Sequence, residues 1–286
     1  MSNLHGSAEA GISRGVAAAR AGLGAGAGLS LAIRIGSIVR VESGEGPGMP
    51  HEVMNERQVA AYLHLDVREI VKLASRGQIP CRKVGQGFQF RKGQVDHWVE
   101  SHIHTLDRQR LAGIERGVTA HHGVDHAELE VCPLIPEGGL AVPLLARTRE
   151  GVLRDLVELA NAAGLVYVCD ELLDEIRKRE GLCPTALAPH VALPHPRYPL
   201  PYAIARSFIV VGLAPGGIPY GAEDGSLTRL FFLICCKDDR THLHVLARLA
   251  GMLSDPSGVE RLLAAGDPDQ LHQTLVALEE AATAGS

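Results

Sequence analysis

Val191-Ala-Leu-Pro-His195-Pro-Arg197 is the stretch on which the reading of the larger part of the chain turns. A short apolar run ends at a histidine between two prolines. Upstream stands Arg179-Glu-Gly-Leu-Cys-Pro-Thr185. Downstream, Gly217-Ile-Pro-Tyr-Gly-Ala-Glu-Asp-Gly225 precedes a hydrophobic strand, and Asp239-Arg-Thr-His242-Leu-His-Val-Leu-Ala-Arg-Leu opens a helix. Helical phase separates the two histidines of that last stretch. His242 shares a face with Leu246, Leu249 and Leu253, whereas His244 shares one with Arg240 and Arg248. An inward-facing histidine can meet a histidine at a strand end. Arg179 closes its own helix, with Ile176 three and Leu172 seven residues before it.

Around these residues the chain alternates strand-like and helix-like pieces. Residues 140–144 read as a strand, placed at an edge by Pro143. Residues 150–163 are amphipathic, with Val152, Leu153, Leu156, Val157, Leu159 and Ala160 inward, and Gly164 ends the run. A second helix is expected at 170–180. Apolar runs at 191–193, 207–213 and 229–236 read as strands, and 240–253, 257–264 and 267–282 as helices. This mixture gives an α/β layered domain of about 150 residues, set here at 131–286.

The preceding fifty residues form a different unit. Asn55-Glu-Arg-Gln58 is a capping box, the Asn side chain capping the N3 amide while Gln58 reaches back. Val59, Ala60, Tyr62 and Leu63 make the apolar face of a short helix. Asp66 is a good N-cap for a second helix over 67–75, with Ile70, Val71, Leu73 and Ala74 inward, and Gly77 stops it. Two extended runs flank Gly85-Gln-Gly87 as a hairpin. A third helix is expected at 94–102, with Val95, Trp98 and Val99 inward. Arg68, Lys72 and Arg76 fall at i, i+4 and i+8 on one exposed stripe of the second helix. Arg82, Lys83, Arg91 and Lys92 lie on the hairpin or at its exit.

The charge distribution follows this division. The whole chain has 286 residues, with 28 Lys and Arg against 33 Asp and Glu. Residues 54–103 carry eight basic and five acidic groups, net +3, while 131–286 carry thirteen and nineteen, net −6. A small basic unit tethered to a larger acidic one fits a nucleic-acid partner for the first. A transmembrane helix needs about 20 consecutive apolar residues; the runs at 21–33 and 208–215 are too short, so no membrane partner is expected. No secretion signal opens the chain, and the six cysteines form no C-x-x-C pair. Reduced thiols in a cytoplasmic protein are the plain expectation. Residues 1–53, rich in Gly and Ala, are expected to be a disordered extension. Residues 104–130 are expected to be a polar linker with a short helix at 108–116. Its His104, His121, His122 and His126 lack an acid or Cys at ligand spacing, and no metal site is assigned to them.

The basic unit resembles the excisionase and MerR-like winged helix-turn-helix family. The resemblance rests on Gly77, Ile79, Pro80, Val84, Phe90, Arg91 and Trp98. It implies that the second helix enters the major groove of double-stranded DNA and that the hairpin touches phosphates. The DNA contacts are then Arg68, Lys72, Arg76, Arg82, Lys83, Arg91 and Lys92.

The larger domain resembles the enzyme IIA domain of the fructose–mannitol class of the sugar phosphotransferase system, including its nitrogen-related regulatory branch. The carriers are Arg179-Glu180, the Ala-Leu-Pro-His195 run, the Ala222-to-Gly225 turn and the His242-Leu-x-x-x-Leu-Ala run, in that order. The fold implied is an α/β layered sheet with flanking helices. The resemblance also implies that His195 accepts a phosphoryl group from an HPr-like carrier. His242 then hydrogen-bonds the phosphoryl oxygens, and Arg179 offsets their charge in a loose transition state. A neutral imidazole suits this because its pKa lies close to 6.5. No metal or other cofactor is demanded. Three family glycines are Ala186, Ala188 and His190 here, and a positive φ at any of them is strained. The chain holds nothing resembling the family's IIB or IIC parts, which points to a regulatory phosphotransferase coupled to DNA binding. The alternative is a DNA-binding regulator whose IIA-like domain is a non-phosphorylated protein-interaction module.

Overall fold

The computed structural model describes residues 52–284 except 104, 105, 107, 123–129, 188, 189 and 223. The extension expected at 1–53 therefore lies, up to residue 51, outside the described residues. So do His104, His126 and the side chains of His121 and His122.

In the basic unit, β1 (Val53–Asn55) runs into α1 (Glu56–Leu63). Asn55 Oδ1 accepts from the Gln58 amide at 3.0 Å, and Gln58 Oε1 accepts from the Asn55 amide at 2.9 Å, so the expected capping box is formed. α2 (Val67–Ser75) starts on Asp66, which accepts from the Arg68 amide at 2.7 Å. It ends at Gly77, whose φ of +66° costs glycine nothing. β2 (Arg82–Val84) and β3 (Gly87–Arg91) form the hairpin, and β1 adds to β3 as an unforeseen third strand. α3 (Lys92–His102) then covers the sheet. Met54, Val59, Tyr62, Leu63, Ile70, Ile79, Phe90, Val95 and Val99 form the core. Val71, expected inside, is 37% exposed, because α2 buries only the stripe through Ile70 and Ala74.

The larger domain has a five-stranded sheet in the order β4-β7-β8-β6-β5. Its strands are β4 (Leu140–Ala141), β5 (Ala186–Leu187), β6 (Val191–Ala192), β7 (Phe208–Ile218) and β8 (Thr228–Cys235). β4 is at an edge, as expected, but ends at Ala141, short of Pro143 and of the expected 140–144. β7 and β8 pair antiparallel, while β6 runs parallel to β8. Side chains alternate along the central strands. Ile209, Val211 and Leu213 face one core, and Phe208 and Val210 face the other. Cys235 and Cys236 likewise part to opposite layers. α5 (Arg149–Ala162) and α6 (Cys169–Leu182) cover the second face. α7 (Asp239–Met252), α8 (Pro256–Leu263) and α9 (Pro268–Ala284) cover the first.

The stretch expected to be a linker behaves differently. α4 (Arg108–His122) runs fifteen residues, past Arg116, and packs along both α1 and α7. Leu111 joins the sheet core, while Ile114 joins the core of the basic unit. Gly117 permits this approach, since a Cβ there would lie 2.2 Å from the Tyr62 carbonyl oxygen. The face of α7 that carries His244 and Arg248 is consequently buried. His244 is 1% exposed, with its ring 3.9 Å from Glu115. Arg248 donates to Glu115 at 2.6 Å and to Thr283 at 2.9 Å. Glu279 faces Arg248 at 3.7 Å and accepts from the Cys132 amide at 2.9 Å. The described residues thus make one compact unit.

A buried cation that loses its carboxylate partner costs about 3 kcal/mol. Glu115→Ala is expected to lower Tm by roughly 5–10 °C for a domain of this size, measured by thermal unfolding. An unchanged Tm means that the Glu115–Arg248 pair does not hold α4 on α7.

Candidate functional site

His195 follows β6, which is held in the sheet by β8, and its backbone is fixed from both sides. The Ile234 amide donates to the Pro194 carbonyl at 2.9 Å, and the Leu193 amide to the Thr185 carbonyl at 3.1 Å. Thr185 is itself tied to Glu180, a buried carboxylate on α6 that also accepts from Arg149 at 2.7 Å. One acidic side chain, unnoticed in the sequence as an organiser, therefore sets the loop before the histidine.

The loop bears out one concern about the missing glycines. His190 takes φ +65°, the left-handed region, whereas Ala186 is extended in β5. Ala188 lies outside the described residues. The His190 Nδ1 meets the Leu227 carbonyl at 2.7 Å, and its own carbonyl accepts from the Arg229 and Leu230 amides. Those bonds over-determine a conformation that histidine adopts more readily than most non-glycine residues.

His195, His242 and Arg179 converge. The two rings lie 4.8 Å apart between centroids, tilted by 55°. Arg179 Nε donates to His195 Nε2 at 3.1 Å, and its Nη1 donates to the Cys183 carbonyl at 2.9 Å. His195 Nδ1 is 2.7 Å from the Leu193 carbonyl oxygen. A carbonyl can only accept, so Nδ1 carries the proton and Nε2 holds the lone pair. All three side chains are buried, at 2% exposure for His195 and Arg179 and 6% for His242.

A fourth side chain completes the cluster, and it comes from the basic unit. Glu100 of α3 is 7% exposed, with Oε1 3.4 Å from His242 Nε2 and Oε2 4.0 Å from His195 Nε2. Its Oε2 also lies 3.2 Å from His97 Nδ1. The His242 Nε2 distance suits an ion pair, yet that nitrogen is buried without a hydrogen bond of good geometry. The remaining cavity, lined by Arg179, Thr185, His195 and Glu100 among others, is about 20 Å³. That is room for roughly one water.

The electrostatics divide the roles. Burial, then the neighbouring charge on His242, pushes His195 down to about 3, so it is neutral near pH 7. Burial also opposes charge on His242, but the Cys236 sulfur and the Glu100 carboxylate outweigh it and raise that ring to about 10. Burial alone would raise Glu100. The close approach of the His242 ring and the contact with His97 override it and hold the carboxyl well below its usual range. The site thus contains a neutral nucleophile, an imidazolium and a carboxylate. Ligand atoms of Glu100, His195 and His242 all lie within 4.8 Å of one another, a spacing that a metal ion could use. Arg179 Nε, however, already donates into the His195 lone pair that would serve as ligand. A guanidinium there suits an incoming anion rather than a cation.

The basic stripe lies on α2 and the hairpin of the small unit. Arg68, Lys72 and Arg76 are exposed along α2 beside an open groove, and Arg82, Lys83 and Arg91 are exposed on or beside the hairpin. Lys92 is a correction to the set of DNA contacts. It is 9% exposed, paired with Asp96 at 2.8 Å and set over the Tyr62 ring, so its ammonium is not available to a phosphate. Among the described residues no helix is long and apolar enough to cross a membrane.

Comparisons with known proteins agree with both halves. A family model described as "Phosphoenolpyruvate-dependent sugar phosphotransferase system, EIIA 2" matches residues 135–277, half of the 286-residue chain. A helix-turn-helix domain model matches residues 53–103. The chain is 28% identical over 128 residues to the mannitol-specific EIICBA component of Vibrio cholerae, covering 43% of this chain and 19% of that protein. It is 27% identical over 135 residues to the fructose-specific EIIA component of Haloferax volcanii, covering 46% of this chain and 86% of that protein. Against the crystal structure of IIA mannitol from Escherichia coli the identity is 26% and the TM-score 0.44, over 49% of this chain and 96% of that one. The chain spans about a fifth of the length of the Vibrio and Escherichia coli mannitol EIICBA proteins.

The His195 shift carries a sign that can be measured. Its folded pKa of about 3 lies below the ordinary 6.5, so the unfolded chain binds a proton first on acidification. The resulting stability is present above pH 6.5 and is lost as pH falls toward 3. His195→Gln removes that proton uptake. Its Tm is expected to fall less than that of the wild type between pH 7 and about 5; parallel profiles would exclude a depressed His195.

Proposed function

The chain belongs, across residues 135–277, to the EIIA 2 family of the phosphoenolpyruvate-dependent sugar phosphotransferase system, with a helix-turn-helix domain ahead of it, and from that premise we propose that it is a regulatory phosphocarrier. His195 takes a phosphoryl group from an HPr-like phosphohistidine protein, and the phosphorylation state modulates DNA binding by the small unit. The observation that carries this reading is the His195 Nδ1 bond to the Leu193 carbonyl, which leaves the Nε2 lone pair turned toward Arg179 and His242.

The step is a direct transfer between two nitrogens. The phosphorus–nitrogen bond of the donor breaks, and its electron pair returns to the leaving imidazole. The new bond forms at His195 Nε2. The proton stays on Nδ1, so the phosphorylated ring becomes cationic, and the Leu193 carbonyl oxygen stabilises that charge. Arg179 turns from Nε2 to the equatorial phosphoryl oxygens, where a guanidinium offsets their charge. The His242 imidazolium offers its unsatisfied Nε2–H to the same oxygens.

A second reading treats the larger domain as a non-phosphorylated protein-interaction module. The near-complete burial of His195 favours it. Incubation with phosphoenolpyruvate, enzyme I and HPr separates the two. Acid-labile phosphate is expected on the wild type and none on His195→Ala. Arg179→Lys should accept phosphate roughly 100–1000-fold more slowly, the scale of removing one well-placed donor. A wild type that takes no label from a donor mixture active on another EIIA protein eliminates the carrier reading.

DNA binding by the exposed basic groups has its own test. Lys83→Ala should weaken binding on all sequences alike and lower the salt slope by about one unit. Arg68→Ala should change sequence preference. If both variants bind as the wild type does, the interface lies elsewhere.

A further inference from the structure

We propose that the phosphoryl-acceptor site doubles as the docking socket for the chain's own DNA-binding unit. The Glu100 carboxylate stands where a phosphoryl group on His195 would stand, so docking of α3 and phosphorylation exclude each other. The inference rests on the phosphocarrier reading of His195 and adds a partner for the same site.

Geometry makes the case. Glu100 presents two oxygens to the groups that a phosphoryl group needs, 3.4 Å from His242 Nε2 and 4.0 Å from His195 Nε2. A carboxylate buried to this degree requires compensating partners. Among the described residues Glu100 finds them across the boundary between the two units and in His97 of its own helix. With it in place, the cavity beside His195 is about 20 Å³, room for roughly one water. His195 is 2% exposed, so a donor protein cannot bring its phosphohistidine within bonding distance while α3 is seated.

Apolar contacts guide the same docking. Leu243 and Ala247 of α7 are counted in the core of the basic unit, and Ile103, just after α3, in the core of the sheet domain. Glu100 is thus an anionic pin set among greasy contacts. A phosphoryl group on Nε2 brings about −1.5 to −2 charges to the same spot. Two anions cannot share one imidazolium and one guanidinium at this distance. Glu100 leaves, and α3 lifts from α7 with it. Arg68, Lys72 and Arg76 are exposed in the docked form, so the consequence for DNA is one of orientation rather than uncovering.

The full-length chain tests this with Glu100→Ala and the isosteric Glu100→Gln, two readouts being taken on each. The first is acylation of His195 by diethyl pyrocarbonate without any donor. Both variants should react at least tenfold faster than the wild type. The second is the rate of phosphate uptake from phosphoenolpyruvate, enzyme I and HPr, again expected to rise at least tenfold. In the phosphorylated wild type, amide exchange over residues 92–102 should quicken, and in His195→Ala it should not. Equal His195 reactivity in all three proteins overturns the socket. Label that accrues equally fast in all three does so too, while leaving the carrier reading intact. No label in any of them removes the carrier reading and the exclusion that depends on it.

Discussion

A carboxylate shut between two imidazoles governs how this protein is put together. Glu100 is delivered by one folding unit, His195 and His242 by the other, and none of the three is solvated. Low dielectric makes such a cluster costly when incomplete and rigid when complete. The charges it contains are mutually defining. The imidazolium exists because the Cys236 sulfur and the Glu100 carboxylate face it, and the nucleophile stays neutral mainly through burial and partly because the imidazolium is adjacent. A site prepared to receive an anion is thereby kept occupied by one.

The scaffold explains why a single side chain reaches so far. α7 is the shared wall. One of its faces lies on the sheet, the other accepts α3 and α4. Arg248 and His244, which would be exposed in a free sheet domain, are buried against Glu115 from α4. A helix that buries two faces must satisfy its polar groups from outside its own domain. The pairs Glu115–Arg248 and Glu100–His242 are cross-unit contacts of this kind.

Much of the local structure was legible residue by residue. The capping box at Asn55 and Gln58, the stop at Gly77, the strand-forming runs at 207–213 and 229–236 and the inward phase of His242 all follow from patterns within ten or so residues. Where the structure departs from the local pattern, one cause is shared. The local pattern of Val71, Lys92 and the segment 108–122 is overridden by what packs, or fails to pack, on each: Lys92 by Asp96 and the Tyr62 ring, the segment by α1 and α7.

Glu100 had no signal in the sequence, being one carboxylate on a short polar helix. The chain by itself determined the elements, their caps, the ordered motif residues Arg179, His195 and His242, and the basic stripe of α2. These depend on periodicity and on the chemistry of single side chains, both of which are written in order along the backbone. Only the tertiary structure decided that α3 sits over the histidines and that α4 fastens two units into one. Those outcomes depend on complementary surfaces far apart in the chain, and on the requirement that a buried charge meet its opposite wherever folding brings them together.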